Sequence, residues 1–481
     1  MIIFVCNVIL IYVYIYMKCG VVLTTHGNNG IFCIQCLECY LRHLPEAFIV
    51  LYVNQSTDPK ILNIKNDYPN IKYIYIENQI ENGGLTATWN DGIKLCIENN
   101  CGIVILSNDD IFFDDSIKYI IEQASNVKEN EMKYFGPITN NPGPTIMNKA
   151  VQFGTQSLDK EPYLPKYDNK FININGFLMV FPKHVLENNM YDKTHFFDPN
   201  KPFDGNEVEW YHRFMKKNGL PIIVPKTFIY HYKLNLWNKK VLNDICIFTI
   251  NFGGYEGNEL HLKNNTDIDN IYFTDNPSMK KGSIINKCIK NNILFFYIDT
   301  KKFISNNWWF PHKQAQRMIK TCPQDYLPSN YKKSIYLDGN NMFKKKMFKK
   351  DVNKLLENHD IVCYEHPGER GNPPTVAAEI NEVLTSRVEK KENLDKILDI
   401  LKKNNFPDNI GLTETCTLVR NHSNIYNFSL EWRELVQISI RDQMSFDYLL
   451  WKHKINYKRF SVDKLFTKKT HHVNPKGRNI K

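Results

Sequence analysis

Four short apolar runs punctuate the first half of the chain: GVVLTT (20–25), AFIVLYVN (47–54), IKYIYIE (71–77) and GIVIL (102–106), separated by stretches with helical patterning. Runs of this length, rich in β-branched and aromatic residues, read as strands buried on both faces. Their alternation with helices predicts a mostly parallel sheet covered by helices, an α/β fold. The pattern starts again at 244 with DICIFTINFGG, NIYFTDN, ILFFYIDT and KSIYLDGN. Between the two sets lies NLWNKKVLND (235–244), polar and turn-rich, where the domain boundary is placed. The expected organisation is an apolar segment at 1–17, a first domain at 18–240, a second at 244–460 and a basic tail at 461–481.

The chemistry sits where the apolar runs stop. GIVILSNDDIFF (102–113) ends its strand on Asn108, Asp109 and Asp110, and KSIYLDGN ends on Asp338, Gly339 and Asn340. Clustered carboxylates repel and are costly to desolvate, so they belong where a cation or solvent satisfies them. A solvated turn leading into a helix capped by Asp114, Asp115 or Ser116 is the alternative. In open α/β sheets ligands bind beyond the carboxyl ends of the strands. Thr24, Thr25, Asn54 and Asp58 stand at such ends in the first half, and Asp275 in the second. Neither GxGxxG opening a helix nor GxxxxGK[ST] occurs, which removes the anchor for a dinucleotide oxidoreductase or a P-loop ATPase. A diphosphate held through a cation on short Asp/Asn motifs is the simpler chemistry.

Composition narrows the partners. The 481 residues suffice for two or three domains, and the net charge of +10 is modest and spread out. It suits anionic small substrates or a membrane surface, and no nucleic-acid partner is expected. KKTHHVNPKGRNIK (468–481) is a basic run, read as a solvated, disordered tail. Cys33, Cys36 and Cys39 recur every three residues along one helical face, without a second ligand pair to close a zinc site. Buried free thiols fit a reducing, cytoplasmic compartment. The apolar residues 1–16 are short for a spanning helix, which needs about 20 residues. A start at Met17, a short membrane anchor that would associate the chain with a membrane, and an extra strand remain open for them.

VVLTTHGNNG, VNQSTD (53–58), NGGLTATWNDGI (82–93), ILSNDDI (105–111), INGFLMVFPKHVL (174–186) and GNEVEWYHRFMKKNG (205–219) resemble, in order and spacing, family 2 glycosyltransferases of the GT-A fold. The resemblance implies that Thr25, Asn54 and Asp58 line a nucleotide pocket, and that Asn82, Gly84 and Asn90 shape the loop that meets the donor. It makes Asn108, Asp109 and Asp110 a DxD-like metal motif, with Asp110 the foremost ligand and His231 of FIYHYK a third one. The cation would be Mn2+ or Mg2+, with a nucleotide sugar as co-substrate. Glu207 falls at the catalytic carboxylate, where it would take the acceptor's proton; a helix-start Glu stabilised by the dipole is the plainer reading.

FTINFGGYEG (248–257), IYFTDN (271–276), the segment 311–340, YEHPGER (364–370), GLTETCTLVRNH (411–422) and EWRELVQISIRDQMSFDYLLWK (431–452) resemble a glycosyltransferase-like family of plant cell-wall and mucilage proteins and bacterial polysaccharide proteins, again implying a GT-A fold. Asp338 and Asn340 repeat the strand-end metal pattern. Lys313 and Arg317, at i and i+4, form a basic helical face suited to a diphosphate, or a solvated surface. His366, Arg370, Glu379 and Glu414 lie in Pro/Gly-rich loops. Asp442 opens an apolar helix, as a cap or partner of Arg441, or as a catalytic group.

These features predict two tandem GT-A domains forming a metal-dependent bifunctional glycosyltransferase. Its first domain would invert configuration while moving sugars to a glycan, glycoprotein or glycolipid acceptor. A single transferase with a carbohydrate-binding second half, and a metal-dependent phosphoryl or nucleotidyl transferase, use the same residues.

Overall fold

The computed structural model describes residues 18–26, 30–54, 58–68, 71, 73–77, 84–140, 174–203, 205–232, 243–254, 262, 267–280, 282–303, 311–366, 375–386, 389–407, 409–461 and 467–469. The chain divides into two compact units, 1–240 and 241–481. Residues 1–17, with their candidate anchor, lie outside the described residues. Among the described residues no helix is long and apolar enough to cross a membrane.

In the first unit β1 (Cys19–His26), β2 (Phe48–Asn54), β3 (Tyr73–Glu77) and β4 (Ile103–Asn108) are parallel neighbours in the order β3-β2-β1-β4. Val21, Val22, Val50 and Ile103 to Leu106 are buried, as two-faced strands require. Beyond β4 the sheet turns mixed. β5 (Ile111–Phe113), β6 (Phe135–Thr139), β7 (Leu178–Pro182) and β8 (Ile222–His231) extend it to β3-β2-β1-β4-β7-β6-β8-β5, with β7 antiparallel to β4. The helix Gly84–Glu98 packs close to β1 because Gly92 has no side chain. A Cβ there would lie 2.4 Å from Val22 Cγ1. Trp89, Phe181, Phe197 and Trp210 fill the core on this side, with Phe197 and Trp210 ring centroids 5.0 Å apart. The helix Gly30–His43 buries Cys33, Cys36 and Cys39, and burial pushes the Cys39 thiol up to about 12.

The second unit repeats this order. β9 (Ile245–Asn251), β10 (Asp269–Thr274), β11 (Leu294–Tyr297) and β12 (Lys333–Leu337) are joined by β13 (Asn341–Phe343), β14 (Ile361–Glu365), β15 (Thr413–Asn421), β16 (Tyr457–Phe460) and β17 (Thr467–Lys469). Its main sheet runs β11-β10-β9-β12-β15-β14-β16, the first unit's order shifted by eight without the counterpart of β5, and with β15 antiparallel to β12. One strand differs. In the first unit β8 pairs with β6 between Ile222 and Ile229 and with β5 at its end, Ile229 to His231. In the second, β16 pairs with β14 and a separate β17 pairs with β13.

Each unit is therefore a mostly parallel sheet flanked by helices, the tandem α/β architecture expected from the sequence. The eight parallel strands form where the apolar runs place them. The basic tail is corrected in part: Thr467–Lys469 is a strand, because β13 offers it an antiparallel edge.

Candidate functional sites at the strand ends

In the first unit, β5 and β8 bring the acidic motif to His231. Their antiparallel register pairs Ile111 with His231, and Tyr232 N donates to Asp110 O at 2.9 Å. Asn140 clamps the His231 backbone from both sides, accepting from its N at 2.7 Å and donating to its O at 3.1 Å. His231 Nε2 then lies 3.3 Å from Asp110 Oδ1, and the imidazole stacks on Phe177 at 4.8 Å between centroids. Asn108, half-buried, ends β4 with its N donating to Phe177 O.

Asp109 faces elsewhere. Thr25 Oγ1 donates to Asp109 Oδ2 at 2.5 Å, and both residues are buried. Burial, reinforced by the charge of Asp110, pushes Asp109 well above the usual carboxylate range, while the Thr25 hydrogen bond pulls it down. The Thr25 hydroxyl thereby helps to position the acidic motif. Asp58 is also buried, accepting from Gly30 N at 3.2 Å, the first donor of the helix Gly30–His43, and from Lys60 N at 3.0 Å in the short helix Pro59–Leu62. Asn54 ends β2, half-buried, in register with His26 and Glu77.

Glu207 is delivered by a latch between distant segments. Gly84, at φ +68, leaves room for Phe203 and Pro202: a Cβ would come within 2.5 Å of Phe203 Cε1 and 2.6 Å of Pro202 O. Thr86 N takes Pro202 O at 3.1 Å, and its hydroxyl donates to Lys201 O. Asn206 Nδ2 donates back to Thr86 Oγ1, while Asn206 Oδ1 accepts from Glu207 N at 2.9 Å. Asn90 holds the next segment, accepting from Phe196 N and Phe197 N, both at 2.9 Å, and donating to Phe197 O at 3.1 Å. The Glu207 carboxyl ends over Gly176, whose Cβ position is 3.6 Å from Glu207 Cδ. Gly176 and Phe177 therefore join the Glu207 carboxyl on one side to His231 and Asn108 on the other. Glu209, two residues on, is bidentate with Arg213 at 2.9 and 3.1 Å. Asn82 lies outside the described residues.

Asp110 and His231 supply a carboxylate and an imidazole, a donor set that suits a divalent cation completed by substrate phosphate oxygens. Among the described residues no three His, Cys, Asp or Glu side chains converge into a closed cage for an ion.

In the second unit the sequence candidates separate. Asp275 Oδ2 accepts from Gly253 N and faces His312 Nδ1, each at 2.9 Å, tying the loop after β9 to the start of the helix Pro311–Thr321. Asp338 Oδ1 accepts from Tyr336 OH at 2.5 Å, and Asn340 follows half-buried. Lys313 is half-buried on that helix, and His366 sits just past β14 with its N on Leu412 O at 2.9 Å. Arg370 lies outside the described residues.

Asp442 is corrected. Its partners are Arg317 Nε at 3.2 Å, Lys320 Nζ at 2.6 Å and Thr415 Oγ1 at 2.7 Å. Arg441 pairs with Glu379 instead. Burial alone would raise Asp442, but Arg317 and Lys320, with hydrogen bonds from Lys320 and Thr415, hold it well below the usual range. Asp442 opens the helix Asp442–Lys452 as Asn206 opens Asn206–Asn218, and each fastens its helix to the one preceding the fourth strand of its unit. It fastens this helix in the core. Arg317 joins this latch, with Nε facing Asp442 and donating to Ile440 O at 3.1 Å.

No protein-family model and no curated protein matches the chain. Solved structures do. The bifunctional glycosyltransferase WbbM, in its apo form, aligns over 92% of this chain and 86% of its own at 11% identity, with a TM-score of 0.34. GalNAc-T7 with UDP, GalNAc and Mn2+ aligns over 45% of this chain and 44% of its own at 14% identity and a TM-score of 0.34. The mannosyltransferase PcManGT from Pyrobaculum calidifontis, in complex with GDP-Man and Mn2+, aligns over 44% and 56% at 11% identity and a TM-score of 0.31. The chain spans less than two thirds of GalNAc-T7 and of PcManGT.

The residues that sequence reasoning missed are the positioning ones, Thr86, Asn140 and Asn206. Their partners are 120 residues away for Asn206 and 91 for Asn140, a distance at which no local period carries a signal.

Proposed function

We propose that the chain is a glycosyltransferase built from two nucleotide-sugar domains, of which the first transfers with inversion. What supports this is the Gly176-Phe177 segment, which brings the Glu207 carboxyl and the Asp110–His231 pair to one place at the carboxyl end of the sheet. Asp110 and His231 are the residues to hold a divalent cation, Mn2+ or Mg2+, whose chemistry there is neutralisation of a diphosphate leaving group. Glu207 takes the proton of the acceptor hydroxyl as that oxygen bonds to the anomeric carbon. The bond from that carbon to the diphosphate oxygen breaks on the opposite face, so configuration inverts.

A second reading, one transferase with a non-catalytic second domain, draws on the second unit. Counting from the matched helix starts, Gln443 stands where Glu207 does, so the carboxylate is missing there.

The test supplies the full chain with radiolabelled nucleotide sugars and a panel of glycan acceptors in Mn2+. Sugar transfer with release of nucleoside diphosphate is expected, and Asp110→Ala should abolish the transfer made by the first unit. Release of inorganic pyrophosphate or transfer of a phosphoryl group, without sugar transfer, would replace this reading by a phosphoryl or nucleotidyl transferase.

A further inference from the structure

The helix Gly84–Glu98, whose first turn meets Asn206 through Thr86, ends in a turn that brings two thiols together. Asn100 takes a positive φ of 60°. Its N donates to Ile97 O at 3.0 Å, and Cys101 N donates to Cys96 O at 3.0 Å, the paired bonds of a helix stop in which the side chains at the two outer positions meet. Here those side chains are Cys96 and Cys101. Both are fully buried, and a hydrogen bond joins their sulfurs, with Cys96 donating. Gly20 on β1 makes room for the pair: a Cβ there would lie 2.5 Å from Cys96 Sγ and 3.1 Å from Cys101 Sγ.

The two thiols are not equivalent. The hydrogen bond from Cys96 holds Cys101 below the ordinary thiol value against the effect of burial, helped by the charge of Lys18, whose Nζ donates to Asn99 O at 2.9 Å. The same bond, together with burial, raises Cys96. Cys101 is therefore the more nucleophilic sulfur, and Cys96 is placed to follow it. Exposed Asn100 and half-buried Gly102 flank Cys101, so the opening of one turn at the end of a helix admits a small reagent. Cys33, Cys36 and Cys39 lie inside the helix Gly30–His43, and burial raises each of them.

We propose that Cys96 and Cys101 form an oxidisable dithiol that takes hydrogen peroxide and closes to a disulfide. Cys101, as thiolate, attacks one peroxide oxygen. The O–O bond breaks, and the departing hydroxide takes up the proton that Cys101 gave up and leaves as water, with a sulfenic acid remaining on Cys101. The Cys96 sulfur then bonds to the Cys101 sulfur, the S–O bond breaks, and the hydroxyl leaves with the Cys96 proton as a second water. The two thiols are oxidised by two electrons and the peroxide is reduced by two.

The experiment treats the folded full chain with hydrogen peroxide, blocks the remaining thiols with iodoacetamide in urea, and reads the tryptic peptides by mass spectrometry. Cys96 and Cys101 fall on one peptide, 95–118. The disulfide should appear as that peptide without alkyl groups and lighter by two hydrogen atoms than its reduced form, and dithiothreitol should restore both alkylation sites. Cys33, Cys36 and Cys39 should stay alkylated. Cys96→Ala should stop the reaction at the sulfenic acid, trapped by dimedone on Cys101, and Cys101→Ala should leave Cys96 open to alkylation. Because the bond joins side chains that the fold has already brought together, the oxidised chain should resist urea at least as well as the reduced one. A peptide that stays fully alkylated after peroxide, a disulfide from either residue to Cys19, or an oxidised chain that unfolds at lower urea would overturn the inference. The proposed function stands apart from all of these outcomes, since it uses neither thiol.

Discussion

Asn206 Nδ2 meets Thr86 Oγ1 at 3.0 Å and fastens the first turn of the Glu207 helix to the first turn of the helix Gly84–Glu98. The same junction in the second unit is ionic, with Asp442 against Lys320 and Arg317. A neutral junction places a side chain without adding charge beside it. An ionic one adds a strong local field, which makes the two units respond differently to substitution and to acid.

Replacing Glu207 with Gln keeps size and hydrogen bonding but removes the carboxylate proposed as the base. Transfer by the first unit should slow by about 10²- to 10⁴-fold. Donor affinity should stay near the parental value, as measured by calorimetry beside single-turnover kinetics. Glu209→Gln should leave the rate much closer to wild type, because Glu209 is engaged with Arg213.

Gly84→Ala tests the latch from its other side. The added methyl meets Phe203 and Pro202 O at a residue whose φ is +68, so the loop at 201–205 must move. A cost of about 1–3 kcal/mol is expected in urea unfolding. The rate of transfer should fall more than donor affinity does, since the displaced loop carries Glu207.

Asp442→Asn should destabilise the second unit by about 3–5 kcal/mol at neutral pH, because Lys320 and Arg317 lose their buried counter-charge. Its pH dependence has a definite sign. The folded carboxyl is held below its unfolded value of about 3.9, so its contribution is present above that pH and is lost as pH falls through the folded value. The deficit of the variant should be constant from pH 7 to about 5 and shrink below about pH 4, as read by denaturant titration at each pH.

His422 gives a second pH signature. It is buried, takes Ser334 Oγ on Nε2 at 2.8 Å and places Nδ1 3.2 Å from Tyr331 O. Burial, with the charge of Arg420, lowers it to about 3. The unfolded chain therefore gains a proton first as pH falls below about 6.5, and stability declines from there toward the folded value. From pH 7 to 5 the decline attributable to this residue should reach about 2 kcal/mol, and His422→Gln should remove it from the stability profile.

Apolar runs made the parallel strands legible, because a two-faced strand needs little besides continuous hydrophobicity. LMVFP in β7 and TETCTLVRN in β15 gave no direction, since antiparallel pairing with the fourth strand is decided by what lies beside it. The acidic ends were visible, and so was Glu207 at a helix start. Thr25 and Asp442 were visible as polar residues but not in their roles. Thr25 bonds a residue 84 positions away, and the nearest cation in sequence to Asp442 is Arg441, whereas the fold supplies Arg317 and Lys320.

The division of one long strand into β16 and β17 has a kinetic side. His231 ends a ten-residue strand whose earlier residues pair with β6, which anchors its backbone to the main sheet. Lys469 sits in a ribbon of three residues against three, which is marginal by itself in water. That ribbon can unzip while the seven-stranded sheet stays whole, so the backbone amides of β17 should exchange with solvent well ahead of those of β14 and β15.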